Sequence, residues 1–406
     1  MSYFTQTQLG ESRWWSWVIA TWLAFVCWIA TQTILLLPMP IIAGITEPAL
    51  FDAFMDAVNA PSGGRENAST YQSISVLTGL AATVAALMAI PAMKPPENDL
   101  GVFAEAEGPI DNPRCRKIGM FISAAILICF ITSKMASAGS NDSELMGVFS
   151  ELMAASPIIF ALFLLTFPAG LAGIYLGYKL FHQRSLLSLH TAAMKFRWVR
   201  VAQGFMLTWI VLGGFAFAGN ALGLMEVNYV FNGGRFWIYA AVSLLFIPLQ
   251  SATEEIVFRG YFNQGLTHLL KSKWIAFILT SFAFMALHLS NPEALEGASS
   301  GTLPIVMSGY FFFGFAMCLV VWIDDGLETA IGIHAGNNCF AAVIMNYENS
   351  VLPTPSVFLT GSDPVKDSVS TLIILGVIVA IIWFWRGGPK NHDPSESSGR
   401  QSTVGA

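Results

Sequence analysis

Three short stretches near the C-terminal end of the chain set acids, imidazoles and amides among apolar residues. The first is Ser251-Ala-Thr-Glu254-Glu255-Ile-Val-Phe-Arg259-Gly260. Glu255 and Arg259 are one helical turn apart, so they share a face and can pair. Glu254 then points elsewhere, without a basic neighbour of its own. One paired and one free carboxylate on the same helix suits a base that takes a proton from water. The second stretch is Phe284-Met-Ala-Leu-His288, with the ring and the imidazole on one face. The third is His334-Ala-Gly-Asn337-Asn338, where His334 and Asn338 share a face and Asn337 lies beside them. Each of these three can donate hydrogen bonds.

Each stretch also has a plainer reading. Glu254 to Arg259 can mark a helix leaving lipid. His288 can be a packed, hydrogen-bonded core residue. His334 and Asn338 can be polar glue between helices. A fourth stretch, Asp324-Asp325-Gly326-Leu327-Glu328, reads as a turn whose acids cap the following helix.

The elements that must position these groups follow from composition. The chain has 406 residues, of which 54% are hydrophobic and only 11% charged, with mean hydropathy +0.60. Soluble domains carry about 25% charged residues, so a water-soluble globule is excluded. A net charge of -6 gives no sign of nucleic acid as a partner. The five cysteines are scattered and odd in number, which suits small core residues rather than disulfides or a zinc site.

Charge-free windows run from Trp14 to Thr46, Asn67 to Met93, Ile118 to Ser133, Leu152 to Tyr178, Val201 to Met225 and Phe236 to Thr253. Others run from Trp274 to Pro292, Gly297 to Ile323, Thr329 to Tyr347 and Ser368 to Trp385. Roughly 17–25 apolar residues cross the hydrocarbon, as helices that satisfy their own hydrogen bonds. The expected fold is therefore all-α, a polytopic transmembrane bundle of about ten spans. Threading them leaves Arg65, Lys134, Arg235 and Lys366 on one side and every other Lys and Arg on the opposite side. The positive-inside rule then puts both termini in the cytoplasm. The first window is too long for a cleaved signal peptide. Trp14, Trp15 and Trp17 read as an interfacial belt, as do Trp383 and Trp385. Leu186 to Trp198 has mixed polarity suited to the cytoplasmic interface. Residues 387–406 read as a disordered cytoplasmic tail.

Helix geometry brings two of the polar stretches together. With a turn at Lys271-Ser272-Lys273, Glu254 and His288 each lie roughly 25 Å from it and can face each other. Pro248 is expected to break or restart the helix just before them. His334 fits less well, only roughly 13 Å past the Asp324–Gly326 turn, and a broken or displaced helix is needed to bring it level. One buried carboxylate, two imidazoles and an amide suit hydrolysis by an activated water, with His334 and Asn338 able to donate to an oxyanion. Metal ligation is the other use of Glu, His and His, although the HExxH spacing is absent.

These residues resemble the CPBP family, the CAAX-protease and bacteriocin-processing intramembrane proteases that include type II CAAX prenyl endopeptidases. The family pattern is EExxxR, then FxxxH, then HxxxN or HxxxD. Here it reads Glu254-Glu255 to Arg259, Phe284 to His288, and His334 to Asn338, in order. The resemblance covers about Phe236 to Tyr347. It implies an intramembrane endopeptidase in which Glu254 and His288 activate water and His334 and Asn338 form the oxyanion hole. Glu255 and Arg259 are then supporting residues. It favours a metal-free glutamate mechanism with no cofactor, zinc being the alternative. It implies a membrane protein or a lipidated or peptide substrate, and a bacterial cytoplasmic membrane as the location. The family often has two glycines near Phe312 to Cys318, whereas this chain has Gly314 and Cys318.

The expected layout is 1–200 as N-terminal spans of unassigned role, 201–350 as the catalytic core, 351–386 as the final span, and then the tail. Two other classes fit the same polar groups: a proton-coupled transporter, which predicts inverted repeats that are not found, and a non-catalytic scaffold or immunity protein. Oligomeric state is left open.

Overall fold

A computed structural model describes residues 2–10, 12–59, 68–89, 113–137, 142–348 and 350–389. Arg65, Lys94, Lys390, Arg400 and the tail from 390 onward therefore lie outside the described residues. The N-terminal half contributes α1 (Trp14–Leu36), α2 (Met39–Thr46), α3 (Pro48–Asn59), α4 (Ala68–Ala89), α5 (Pro113–Ser137), α6 (Asp142–Ala155) and α7 (Pro157–Gly177). The short α8 (Leu187–His190) leads to α9 (Trp198–Ala221) and α10 (Gly233–Glu255). Then come α11 (Asn263–Leu270), α12 (Lys273–Leu287), α13 (Pro292–Ser300), α14 (Leu303–Asp324), α15 (Glu328–Cys339) and α16 (Pro364–Arg386).

Among the described residues, six helical segments are long and apolar enough to cross a membrane: Trp14–Thr46, Pro157–His182, Trp198–Ala221, Gly233–Leu270, Leu303–Asp324 and Val365–Arg386. Helices α12 and α13 pass the same test only together, bent by 88°, and make a seventh crossing if the pair is one span. The chain is an all-α, multi-pass membrane protein, and its described residues give fewer crossings than the expected ten. Three windows account for the difference. In α4 only the stretch Val76–Ala89 is strongly apolar, after a start containing Ser69, Thr70, Gln72 and Ser73. Helix α5 carries Arg114, Arg116, Lys117 and Lys134. Helix α15 has only 12 residues, and Ala330, Ile333 and Ala335 on it are buried in protein rather than turned to lipid.

One hydrophobic core joins both halves of the chain, from Trp15 and Ile19 on α1 to Phe277 on α12, Met317 on α14 and Ile378 on α16. A small sheet, absent from the all-α expectation, closes one end. Its strands β1 (Val227–Tyr229), β2 (Met345–Tyr347) and β3 (Phe358–Thr360) run in the order β1-β3-β2. Asn228 pairs with Leu359 antiparallel and Asn346 with Leu359 in parallel. It ties the loop between α9 and α10 to the segment between α15 and α16. At the opposite end Trp14, Trp198, Trp274, Trp383 and Trp385 are exposed.

Three local features differ from expectation. Helix α10 runs unbroken through Pro248, because a proline removes one backbone donor and the packed neighbouring helices hold the rest of the turn. It then continues into a π-helical segment, Ile256–Phe262, before α11. A second π segment, Phe340–Ile344, follows α15. The third difference is the stretch between α7 and α9, which is folded inward. Leu189 and Thr191 are buried, Leu327 N donates to His190 O at 2.8 Å, and Thr191 bridges to Gly326.

Candidate active site

The turn expected around Ser272 is present. Lys271 adopts a left-handed conformation at φ 56°, and Ser272 caps α12 by accepting from Ile275 N at 3.4 Å. The turn between α14 and α15 stands at a different height. A Cβ on Gly260 would lie 3.2 Å from Leu327 Cδ1, so α15 begins level with Gly260, ten residues short of Leu270 on the chain. That offset is roughly 15 Å at the α-helical rise, and it makes up the shortfall that left His334 too shallow. From there α15 runs antiparallel to α10: Leu327 meets Gly260, His334 meets Glu255, and Asn338 meets Gln250 and Ser251.

Helix α15 gets this close because of its glycines. A Cβ on Gly332 would lie 2.1 Å from Val201 O, and one on Gly336 would lie 2.9 Å from Phe205 O. Gly204 on α9 approaches Thr329 O in the same way, at 2.5 Å. Small residues spaced by one turn let two backbones touch. Trp209 on α9 adds a hydrogen bond from Nε1 to Gly336 O at 3.0 Å.

The charged groups converge on His334. Its Nδ1 lies 2.7 Å from Glu255 Oε1, and its Nε2 lies 3.6 Å from Glu254 Oε2. Glu255 also pairs with Arg259, Nη1 to Oε1 at 3.1 Å. Glu255 is 0% exposed and Arg259 1%, so this pair is held out of water, where each charge needs the other. Phe284 caps the pair, its ring centroid 4.2 Å from the guanidinium carbon of Arg259. The phenylalanine of the second stretch thus covers the arginine of the first.

Glu254 is differently placed. Its side chain is 14% exposed. Oε1 accepts from Gln250 Nε2 at 2.5 Å, while Oε2 is buried and accepts no hydrogen bond. Asn338 Nδ2 lies 3.4 Å from Gln250 Oε1 and 3.5 Å from Ser251 Oγ. Asn337 donates to Asn338 Oδ1 at 3.1 Å, which leaves the Asn338 amide NH2 directed toward α10.

His288 is brought to the same region from the end of α12, not from mid-helix as its window implied. It is the C-terminal cap of α12. Pro292 restarts the chain as α13 after the 88° bend, because a residue before proline is driven out of the helical region. His288 Nδ1 donates to Phe284 O at 2.8 Å, since a carbonyl only accepts, and Nε2 is left as the free ring nitrogen. Both Glu254 and Glu293 lie within electrostatic reach of the imidazole.

Some participants escaped sequence reasoning. Tyr310 on α14 stacks on His288 with ring centroids 4.3 Å apart. Its hydroxyl donates to Glu293 and accepts from Asn291 at 2.8 Å. Tyr347 donates to the same Glu293 oxygen at 3.2 Å. Glu293 stands after the bend and Tyr347 on β2, so no periodicity links them to His288. Gln250 carried a weak signal, one turn before Glu254 on the same face.

The Asp324–Glu328 stretch is a turn, but its acids do not cap α15, whose N-cap residue is Leu327. Asp324 and Glu328 are buried and paired instead. Arg197 donates to Glu328 from Nε at 2.9 Å and from Nη2 at 2.6 Å. Asp324 pairs with Arg200, with Arg386 at 3.3 Å, and accepts from Thr329 at 2.7 Å. Among the described residues the cysteines form no disulfide. Cys318 accepts from Asn263 Nδ2 at 3.1 Å across to α11, and Gly314 lets α14 approach Ser281 on α12. Among the described residues, no group of three or more His, Cys, Asp or Glu is arranged to hold a metal ion.

Fold and site together define a polytopic membrane protein with a buried acid, imidazole and amide cluster between its helices. The segment bearing that cluster, residues 234–340, matches the family described as type II CAAX prenyl endopeptidase Rce1-like. That segment, about a quarter of the chain, is therefore similar to the Rce1-like domain of type II CAAX prenyl endopeptidases. An uncharacterized protein of Bacillus subtilis (strain 168), YyaK, is 28% identical over 223 residues, covering 52% of this chain and 71% of its own length. No solved structure matches.

Proposed function

We propose that the protein is an intramembrane endopeptidase that hydrolyses peptide bonds of membrane-associated proteins or peptides with a Glu254-activated water. The observation that carries this reading is the placement of His334 between Glu254 and Glu255, on a helix antiparallel to theirs. Glu254 Oε2 takes a proton from water, and His288 orients that water through its free Nε2. The resulting hydroxide attacks the scissile carbonyl carbon. His334 and Asn338 face the oxyanion of the tetrahedral intermediate and stabilise it by hydrogen bonding. Glu254 then returns the proton to the leaving amine as the C–N bond breaks. Glu255 and Arg259 act by holding His334 in place.

A metal ion fits this donor set poorly. The Arg259 guanidinium occupies Glu255, which also holds His334 Nδ1, and a fixed positive charge beside the carboxylate repels a cation. We therefore assign no step to zinc. We also place the Arg- and Trp-rich end in the cytoplasm of a bacterial membrane, with residues 201–350 as the catalytic core and 1–200 as spans buttressing it. Substrates of the prenylated CAAX type are the first class to test, because the domain match is to prenyl endopeptidases.

The test compares new N-termini in membranes carrying the wild-type chain or Glu254→Gln. The expected result is a set of cleavages lost in the variant, with roughly 10²–10⁴-fold slower turnover. Equal cleavage by both proteins would sink the proposal. Cleavage that chelator abolishes and zinc restores would overturn the metal-free step alone.

A further inference from the structure

Gln250 has no place in the chemistry above, yet it touches both of its arms. It lies on α10 one turn before Glu254 and is 9% exposed. Its Nε2 donates to Glu254 Oε1 at 2.5 Å. A carboxylate only accepts, so the NH2 end of the amide must face Glu254. That orientation turns Gln250 Oε1 toward α15, where Asn338 Nδ2 lies 3.4 Å away. Ser251 Oγ donates to the same Oε1 at 3.1 Å, and Asn338 Nδ2 lies 3.5 Å from Ser251 Oγ.

We propose that Gln250 is a positioning residue that couples the base to the oxyanion donor, one amide setting the orientation of both Glu254 and Asn338. The proposal rests on the reading of Glu254 as the base. The terminal torsion of a glutamate is broad, so an unrestrained carboxylate would sample many orientations. A hydrogen bond to an ionised acceptor is among the strong ones, and this one secures Oε1. Oε2 is left bare and turned toward His334, ready for the water proton. On the other arm the contacts to Asn338 are long. Catalytic hydrogen bonds in a substrate-free site are often long and tighten only in the reacting complex. Gln250 and Ser251 thus keep the Asn338 amide close to its working position without holding it fast. Because Gln250 and Glu254 share one rigid helix while Asn338 stands on another, a single side chain keeps the two helices in catalytic register.

The test uses the full-length purified protein in bilayers and a substrate defined by the cleavages that Glu254→Gln removes. Gln250→Met keeps the size of the side chain and loses both hydrogen-bonding ends. The expected result is kcat lowered roughly 10- to 100-fold, a part of what a positioned base contributes, with KM within about twofold. Gln250→Glu keeps the shape and covers the case in which the methionine variant fails to fold. It replaces the amide donor with a second acceptor beside Glu254, so kcat falls as it does in the methionine variant, with KM again within about twofold. If both variants match wild type in kcat, the coupling role is wrong while the protease reading stands. If Glu254→Gln removes no cleavage at all, the protease reading fails first and this proposal with it.

Discussion

Glu255 is buried between a guanidinium and an imidazole and has no water to turn to. Taking Arg259 away would leave an uncompensated charge in a place that cannot solvate it. Arg259→Met is expected to cost about 3–5 kcal/mol of stability, measured by unfolding in detergent. The double variant Arg259→Met with Glu255→Gln should recover much of that loss, since no charge is then stranded. Losing activity without losing stability would assign Arg259 a different role. The Glu255–Arg259 pair was legible from spacing alone, because residues one turn apart meet on any helix. The partners of His288 were not. Tyr310 and Glu293 come from beyond a bend, and only the folded chain stacks a tyrosine on that imidazole. His334 was recognisable as a residue type, but the local helix count put it at the wrong height.

That height is a property of elements. The sequence reading took both inter-helix turns to be level, a fair assumption when turns end at the membrane surface. The turn before α15 is instead sunk beside Gly260 and roofed by the segment around Leu189, so a short helix can begin deep and still reach Glu255. The glycines that allow it stand in the sequence as Gly332-Ile-His-Ala-Gly336, with His334 between them. Their meaning needed the facing helix. Gly332→Val would drive a branched side chain into the α9 backbone at Val201. Overpacking of this kind costs about 1–3 kcal/mol, and here it pushes α15 away from α10. Activity is expected to fall far more than stability, read as turnover against the unfolding midpoint. Gly376→Val on α16, where an added Cβ meets nothing within 4 Å, serves as the control.

Across the whole molecule, charge scarcity proved a sound guide to solvent and a looser one to span number. Composition predicted helices in lipid. It could not tell a helix facing lipid from one such as α15 that is wrapped in protein, since both are apolar. The basic end carries its own pH dependence through His190, which bonds to Leu186 O and to Tyr175. Burial lowers its pKa from the ordinary 6.5, so folding favours the neutral ring. Stability from this group is complete above that value and is lost as pH falls toward the lowered one. The unfolding midpoint should therefore drop on acidification below about pH 6.5, and His190→Gln should flatten that drop. An unchanged slope in the variant would assign it elsewhere. The π segment Ile256–Phe262 has a further consequence. A widened turn holds one more residue than an ordinary one, so it changes the rotational phase of everything after it. Upstream of it, α10 presents Glu254 and Glu255 to α15. Downstream, α11 presents Asn263 to Thr280 and Cys318. Deleting one residue there would turn the two halves by about 100° relative to each other, so either the carboxylates would lose His334 or Asn263 would lose α12 and α14.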